Sequence, residues 1–424
     1  MFETLKNAWR IADIRKKILF TVLIIFIFRV GMAIPVPFVS AEALKAWFDS
    51  ANGSLFSFLD MMSGGGLSQA SLFALSITPY INASIIIQLL AIGIPALERL
   101  AKEEDGRQKI AAITRYSTVV ISLLMAFAYY VGIKNMGALT RNDFFGAAVI
   151  MLTFIAGSMF TMWLGEQNNE KGIGNGISVL LFAGIISRGP AIIQTVIQIS
   201  QPWKTNWYIG IIVLIVAVLL VLFIVLLTEG ERRLPVQYAK KVVGRKMYGG
   251  QSTYIPLKVN MTGVLPIIFA QSLLSIPQTI ALAFPNIDPA SFGGRFIRAF
   301  YSNSWLYAVL YFLLIVFFNY FYTTVQFNPI EVSNNIKRNG GFIPGIRPGK
   351  PTSDYIAKVL SKITLIGAVG LAVVALVPIS SSWFGIGAIG IGGTSLIIVV
   401  GVAIELYQQL ESQMLMRHYK GFLD

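Results

Sequence analysis

The chain has 424 residues, of which 55% are hydrophobic and only 13% are charged, and its mean hydropathy is +0.69. Soluble domains carry roughly 25% charged residues, so this composition excludes a water-soluble globular chain and predicts an integral membrane protein. The net charge is +14, and there is no cysteine, which excludes disulfides, iron–sulfur clusters and thiolate zinc sites. We interpret the single histidine, His418, as a solvated tail residue rather than a metal or acid–base group.

Long apolar stretches separated by polar loops predict about ten membrane-spanning helices. A helix needs about 20 residues to cross the hydrocarbon core of a bilayer. The first stretch is too long for the apolar part of a signal peptide and has no small-residue cleavage site after it, so we expect it to be the first span. The predicted spans are 18–37, 73–95, 113–133, 145–165, 177–199, 207–228, 262–284, 305–325, 361–382 and 388–408.

Lysine and arginine are distributed unequally between alternate loops. With ten spans, the side that holds both termini carries 26 of these residues and the opposite side carries seven, with Arg29 inside the first span. Cytoplasmic loops of membrane proteins are enriched in Lys and Arg, so we expect both termini to be cytoplasmic. A basic face also favours contact with anionic lipids and with a cytoplasmic partner.

Two loops on the basic side, 228–260 and 326–361, are too long to be simple connectors. The run PGIRPG at 344–349 predicts a rigid turn that presents Arg347, because proline and glycine favour sharp turns. We interpret both loops as partner-docking sites, with a solvated loop as the alternative, and no module that reads bases is present. Their candidate docking residues are Arg232, Arg233, Lys240, Lys241, Lys337, Arg338, Arg347 and Lys350.

The second and seventh spans share a short pattern. Each has a proline followed two residues later by isoleucine and then by small and polar residues: PYINASIIIQ from Pro79 and PIIFAQS from Pro266. Proline-interrupted segments at matching places indicate inverted repeats with a pathway between them. We therefore predict two inverted halves of five spans, 1–200 and 201–424.

Charged residues are rare inside the spans, where Arg29 and Glu405 stand out. Ion-coupled transporters keep ionisable groups near the midplane, so this pattern favours an aliphatic constriction that excludes water. Five polar residues in the second and seventh spans could line a pathway, although contacts between helices are the alternative. They are Asn82, Ser84, Gln88, Gln271 and Ser272.

The segment 54–67 is apolar, is too short to span a bilayer and ends in three glycines. We expect a re-entrant plug helix, about 55–67, on a flexible glycine hinge. A helix lying in the membrane interface is the alternative.

Several motifs, in order along the chain, resemble the SecY family. They are PYINASIIIQLL at 79–90, GEQ at 165–167, GIGNGIS at 172–178, PLKVN at 256–260, PGIRPG at 344–349 and GGTSL at 392–396. The resemblance implies an all-α polytopic membrane protein of the bacterial plasma membrane. Its implied function is a protein-conducting channel that passes unfolded secretory polypeptides and releases transmembrane segments sideways.

The resemblance also implies roles for individual residues. It implies a pore ring of Ile77, Ile81, Ile185, Ile268 and Ile398, with Leu181 as a neighbour. The implied plug comprises Leu55, Phe56, Phe58, Leu59, Met61, Met62, Gly64, Gly65 and Gly66. The implied lateral gate lies between spans 2 and 3 and spans 7 and 8, where the five polar residues occur. The implied partners are SecE, SecG, the SecA ATPase motor, ribosomes, the translocating polypeptide with its signal sequence, and a second copy of the chain.

Two other classes of function remain as alternatives. A small-solute secondary transporter also has inverted repeats, but it needs a substrate site or a coupling ion. An intramembrane enzyme needs a nucleophile and a base within the bilayer, and the sequence has no HExxH motif and no aspartate pair facing a common site. It also has no phosphate-binding loop of the GxxxxGK[ST] type, so we expect neither an enzyme nor a cofactor.

Overall fold

The computed structural model describes residues 6, 8–50, 60, 64–103, 105–190, 193–194, 207–238, 241–243, 246–248, 252–284, 291–300, 304–383 and 393–420. The helices of the first half are α1 (Ala12–Ala33), α2 (Ala41–Ser50), α3 (Thr78–Gly93), α4 (Pro95–Lys102), α5 (Gly106–Asn135), α6 (Phe144–Lys171) and α7 (Gly176–Ser187). Those that follow are α8 (Trp207–Glu229), α9 (Leu265–Ala283), α10 (Phe292–Ala299), α11 (Trp305–Gln326), α12 (Pro329–Arg338), α13 (Lys350–Trp383) and α14 (Gly393–Lys420).

Each predicted span overlaps one long helix of the described chain, and these helices are, in order, α1, α3, α5, α6, α7, α8, α9, α11, α13 and α14. Among the described residues, five stretches are long and apolar enough to cross a membrane: Gln108–Asn135, Phe144–Lys171, Trp305–Arg338, Lys350–Val377 and Thr394–Leu415. Shorter apolar helices are Thr78–Gly93, Gly176–Ser187, Leu214–Glu229 and Leu265–Ala281. The prediction of a helical, multi-pass membrane protein is confirmed.

The shared prolines begin helices rather than interrupt them, so this part of the prediction was wrong. Pro79 is the second residue of α3, and Pro266 is the second residue of α9. Proline fits the first turn of a helix because the amide hydrogen that it lacks would have no partner there. The second predicted span starts too early, because residues 73–77 form buried turns that precede α3.

The largest buried apolar cluster connects helices that are far apart in sequence. It includes Phe28 of α1, Ile85 of α3, Leu181 of α7, Leu274 of α9 and Val402 of α14. A second cluster packs residues 67–75 against α5 and α6. The centre of the molecule is thus an apolar core to which both halves of the chain contribute.

The two long basic loops form one folded unit that contains strands, which were not predicted from the sequence. Strands β1 (Glu231–Tyr238) and β4 (Ser252–Lys258) pair in antiparallel register, and β5 (Gly341–Phe342) pairs with the other edge of β1. Strands β2 (Lys241–Val243) and β3 (Lys246–Tyr248) form a hairpin. We call β1, β4, β5, α12, the turn 343–349 and the first residues of α13 (350–356) the sheet unit. Its core comprises Leu234, Val236, Leu257, Ile336, Ile343 and Ile356.

Candidate functional site

The five predicted ring isoleucines lie in one continuous buried cluster. Ile77, Ile81 and Ile268 are each 1% exposed, and Ile398 and Ile185 are also buried. They come from four separate parts of the fold: the start of α3, the end of α7, the start of α9 and the start of α14. The structure therefore brings together residues that are more than 300 positions apart at the extremes, in a waist made of branched aliphatic side chains.

Ile81 and Ile268 occupy equivalent positions in their helices. Each is the fourth residue of its helix, α3 or α9. The amide of Ile81 donates to the carbonyl of Ile77 over 3.1 Å, and the amide of Ile268 donates to the carbonyl of Val264 over 3.2 Å. The backbone angles of the preceding caps also agree, with φ −90° and ψ 2° at Ile77 and φ −91° and ψ −8° at Val264. The repeated sequence pattern thus corresponds to a repeated local structure.

The glycine-rich end of the predicted plug packs directly against α7. Gly64 has φ +69°, and a Cβ atom added there would lie 2.8 Å from the Cα atom of Gly184, the residue before Ile185. Only glycine allows both this backbone angle and this approach. Gly65 and Gly66 are also buried, whereas Leu55, Phe56, Phe58, Leu59, Met61 and Met62 lie outside the described residues.

Asp60 and Arg188 form an ion pair between the predicted plug segment and the end of α7. Arg188 Nη2 donates to Asp60 Oδ2 over 2.6 Å, with 3% of the Asp60 side chain and 30% of the Arg188 side chain exposed. Asp60 Oδ1 accepts the amide of Ser68 over 2.7 Å, and the Asp60 carbonyl accepts the amide of Gly65 over 2.8 Å. Arg188 also lies at the C-terminal end of α7, where the helix dipole favours a cation.

This ion pair was not predicted from the sequence. Arg188 falls within the predicted span 177–199, and Asp60 is an acidic residue in an otherwise apolar segment. An isolated acid and an isolated base in two apolar segments provide a signal of pairing, since a buried charge needs a partner. Their separation of 128 positions hid the contact.

A hydrogen-bond chain joins α11 to α3 at the predicted lateral gate. Tyr322 Oη donates to Gln88 Oε1 over 2.5 Å, and Gln88 Nε2 donates to Ser84 Oγ over 2.9 Å. The ring of Tyr322 packs against that of Phe269 on α9, with 4.9 Å between centroids. Ser84 and Gln88 were predicted from the sequence, whereas Tyr322 was not, because aromatic residues are common in spans and carry no specific signal.

The other three predicted gate residues are buried with incompletely satisfied side chains. Asn82 Nδ2 lies 4.0 Å from Met125 Sδ of α5. Within the described chain, Asn82 Oδ1, Gln271 Oε1 and Ser272 Oγ are buried without a hydrogen-bond partner. Each such group costs about 1–3 kcal/mol when it is buried unpaired. The contact of α3 and α5 with α9 therefore contains polar groups that would acquire hydrogen-bond partners if the helices separated and water or a peptide entered.

The basic residues of the sheet unit lie on its surface. Arg232, Arg347 and Lys350 are exposed, as are Lys337 and Arg338 at the end of α12. Arg233 forms an ion pair in which its Nε atom lies 2.6 Å from Glu231 Oε1, and its Cζ atom lies 4.8 Å from the centre of the Tyr254 ring. Lys240 lies outside the described residues, and Lys241 begins β2. The structure thus places exposed basic residues from both loops on a single folded unit.

Comparison with known proteins gives the family. A family model described as SecY matches residues 71–407. The chain is 42% identical over 433 residues to the protein translocase subunit SecY of Thermotoga maritima, covering 100% of this chain and 98% of that protein. The chain belongs to the SecY family. The SecY subunits of Halalkalibacterium halodurans, 42% identical over 434 residues, and Aquifex aeolicus, 39% identical over 436 residues, match over the full length of both chains.

Solved structures agree on the fold. A structure described as a protein-conducting channel has a TM-score of 0.64 at 18% identity and covers 94% of this chain and 92% of its own. A channel in a canine ribosome–channel complex from the endoplasmic reticulum has a TM-score of 0.60 at 16% identity, with the same coverage. These structures confirm the polytopic helical fold, and the family model and the translocase relatives confirm the SecY-family resemblance inferred from the motifs.

Proposed function

We propose that this chain forms the channel of a Sec translocase, in which unfolded secretory polypeptides pass through the aliphatic waist. As a member of the SecY family it is a protein-conducting channel, rather than a small-solute transporter or a catalyst. The observation that supports the pathway is the single buried cluster that contains Ile77, Ile81, Ile185, Ile268 and Ile398. Branched aliphatic side chains present no fixed charge, so they would fit varied residues without holding any of them.

We assign the closed state to the waist together with the plug segment. A narrow aliphatic constriction resists ion flow because water is unstable inside it. The plug would add a second barrier on the side of α7 where Arg188 lies, held by the ion pair with Asp60. A passing chain would displace the plug and separate that pair.

We assign the side exit to the contact between α3 and α5 on one side and α9 and α11 on the other. Separation there would break the Tyr322–Gln88 hydrogen bond and hydrate the unpaired polar groups of Asn82, Gln271 and Ser272. A transmembrane segment would leave through this opening, because its transfer into lipid gains about 25 cal/mol per Å² of apolar surface.

We assign partner docking to the sheet unit. Its exposed arginines and lysines suit the SecA motor and the ribosome, and channels bound to ribosomes occur among the solved structures of this fold. SecE and SecG would complete the complex, two copies of the chain could associate, and anionic lipids would contact the basic face. The distribution of Lys and Arg supports a bacterial plasma membrane protein with both termini in the cytoplasm.

We further propose that 1–200 and 201–424 are the two inverted halves, with the plug in the first half and the sheet unit in the second. The matching starts of α3 and α9 support this division. The waist would then lie between the halves.

Crosslinking of a stalled secretory polypeptide tests the pathway. With cysteine at Ile81 or Ile268, we expect crosslinks that depend on the motor, because both side chains lie in the waist. Cysteine at Ile86, which is on α3 but 37% exposed, is the matched control and should give few crosslinks. The cysteine-free chain makes the reaction specific. Active translocation without crosslinks at either buried position would contradict the proposed route through the waist. No translocation at all would contradict the proposed channel function.

Tyr322→Phe should ease lateral release. The change removes the hydrogen bond to Gln88 and keeps the ring that packs on Phe269. One hydrogen bond contributes about 0.5–1.5 kcal/mol, so membrane insertion of a marginally apolar test segment should rise about two- to tenfold relative to secretion. Tyr320→Phe is the control, because Tyr320 Oη donates to the Ser361 carbonyl away from the gate. Equal insertion ratios in both variants and the original protein would mean that the Tyr322–Gln88 hydrogen bond does not hold the lateral gate closed.

A further inference from the structure

Arg188 lies one helical turn beyond the waist. It follows Ile185 by three residues at the C-terminal end of α7. The other end of α7 starts at Gly176, beside Gly174, whose amide donates to Gln409 of α14. Arg188 is therefore on the opposite side of Ile185 from the loop that precedes α7. In the proposed topology this is the outer side, where a chain emerges from the waist.

The ion pair with Asp60 neutralises the charge of Arg188 just beyond the waist. Asp60 belongs to the plug segment, whereas Arg188 is the C-cap of α7, whose Ile185 is part of the core. Displacement of the plug would carry the carboxylate away and leave the guanidinium, which is already 30% exposed, beside the path. Arginine keeps its charge throughout the physiological pH range, so the open channel would hold a fixed cation just beyond an uncharged waist.

We propose that Arg188 discriminates between translocating residues by the sign of their charge, with acidic residues favoured and basic residues retarded. This inference rests on the channel function proposed above and adds a determinant of specificity to it. The isoleucines of the waist have no charge and so cannot distinguish Asp from Lys. A unit charge a few ångströms from a partly hydrated guanidinium should change a passage rate about fivefold.

The test compares three secretory substrates that differ only in a central block of four Asp, four Lys or four Ser residues. Translocation rates are measured in vesicles with the membrane potential abolished by ionophores, so that no external field acts on the blocks. The channel variants are the original protein, Arg188→Gln, Arg188→Lys and the exchange of Asp60→Arg with Arg188→Asp. Each rate is divided by that of the Ser substrate in the same variant, which removes any general effect on opening.

The original protein should pass the Asp block about fivefold faster than the Lys block. Arg188→Gln should bring the two rates together, and Arg188→Lys should retain the preference. The exchanged pair should invert the preference while its resting ion leak stays near that of the original protein, because the ion pair can form again. If Arg188 only held the plug in place, the exchanged pair would keep the low ion leak but would not invert the preference between Asp and Lys blocks.

A preference that persists in Arg188→Gln, or one that keeps its sign in the exchanged pair, would overturn the proposal. Normal passage of the Ser substrate with equal Asp and Lys rates in the original protein would also overturn it, while leaving the channel function intact. Failure of the original protein to pass any of the three substrates would instead contradict the channel function.

Discussion

Arg347→Glu should reduce motor-driven translocation about 30-fold at limiting motor concentration while leaving the protein folded. The side chain of Arg347 is exposed, whereas the backbone around it is fixed. Thr352 Oγ1 donates to the Arg347 carbonyl over 2.8 Å, and Ser333 Oγ donates to the Gly349 carbonyl over 2.7 Å. Gly345 and Gly349 have φ of +82° and +103°, which glycine adopts without strain. The turn thus presents one cation in a fixed position, as a docking residue requires.

The expected effect is large because charge reversal replaces attraction by repulsion at a contact. Loss of a charge pair at the centre of an interface commonly costs about 2 kcal/mol or more, which corresponds to a fall of about 30-fold in the rate at limiting motor concentration. Folding should persist, since substitutions at exposed surface positions usually change stability by less than about 0.5 kcal/mol. Motor binding and translocation are measured in the same vesicles, together with thermal unfolding.

Lys358→Glu is the matched control for Arg347→Glu. Lys358 is also exposed and basic, and it lies on α13 close to the core of the sheet unit, but outside the PGIRPG turn. If both variants lose activity equally, general electrostatics of the basic face would explain the loss. If Arg347→Glu translocates normally, Arg347 is not a docking residue.

The sequence predicted the membrane helices well because hydropathy over about 20 residues reports directly on burial in lipid. The same signal failed at residues 73–77, which are buried but form turns, because hydropathy does not separate buried turns from helix. Pro79 marks the true start of α3, and its meaning at the first turn was available in the sequence.

Contacts between segments that are distant in the chain could not be predicted from the sequence alone. Strand β1 pairs with β5 about 100 residues later, and β5 is only two residues long, so no local pattern reveals it. The pairs Asp60–Arg188 and Gln88–Tyr322 depend in the same way on how the helices pack. The ring isoleucines were predicted from the family resemblance and not from their local pattern, since an isoleucine in a spanning helix faces lipid as readily as it faces a pore. Ile86 and Ile85 are neighbours on α3, and only Ile85 is buried.

Ile81→Asn and Ile268→Asn should each raise the ion leak of the resting channel. Both side chains are 1% exposed within the apolar cluster, so an amide in either place would draw water into a region that now excludes it. A reduction of about 1.4 kcal/mol in the barrier to wetting raises the leak about tenfold. The measurement is ion flux through reconstituted vesicles without substrate or motor, with Ile86→Asn as the control on the exposed face of α3.

The two substitutions should have similar effects, because Ile81 and Ile268 are both the fourth residue of a helix that begins with the same proline turn. A leak from one variant alone would mean that only one half of the chain contributes to the barrier. A leak from neither would make both residues ordinary core residues. Equal leaks, with a larger leak in the double variant, would indicate that the closed state depends on a waist built symmetrically by two halves of the chain.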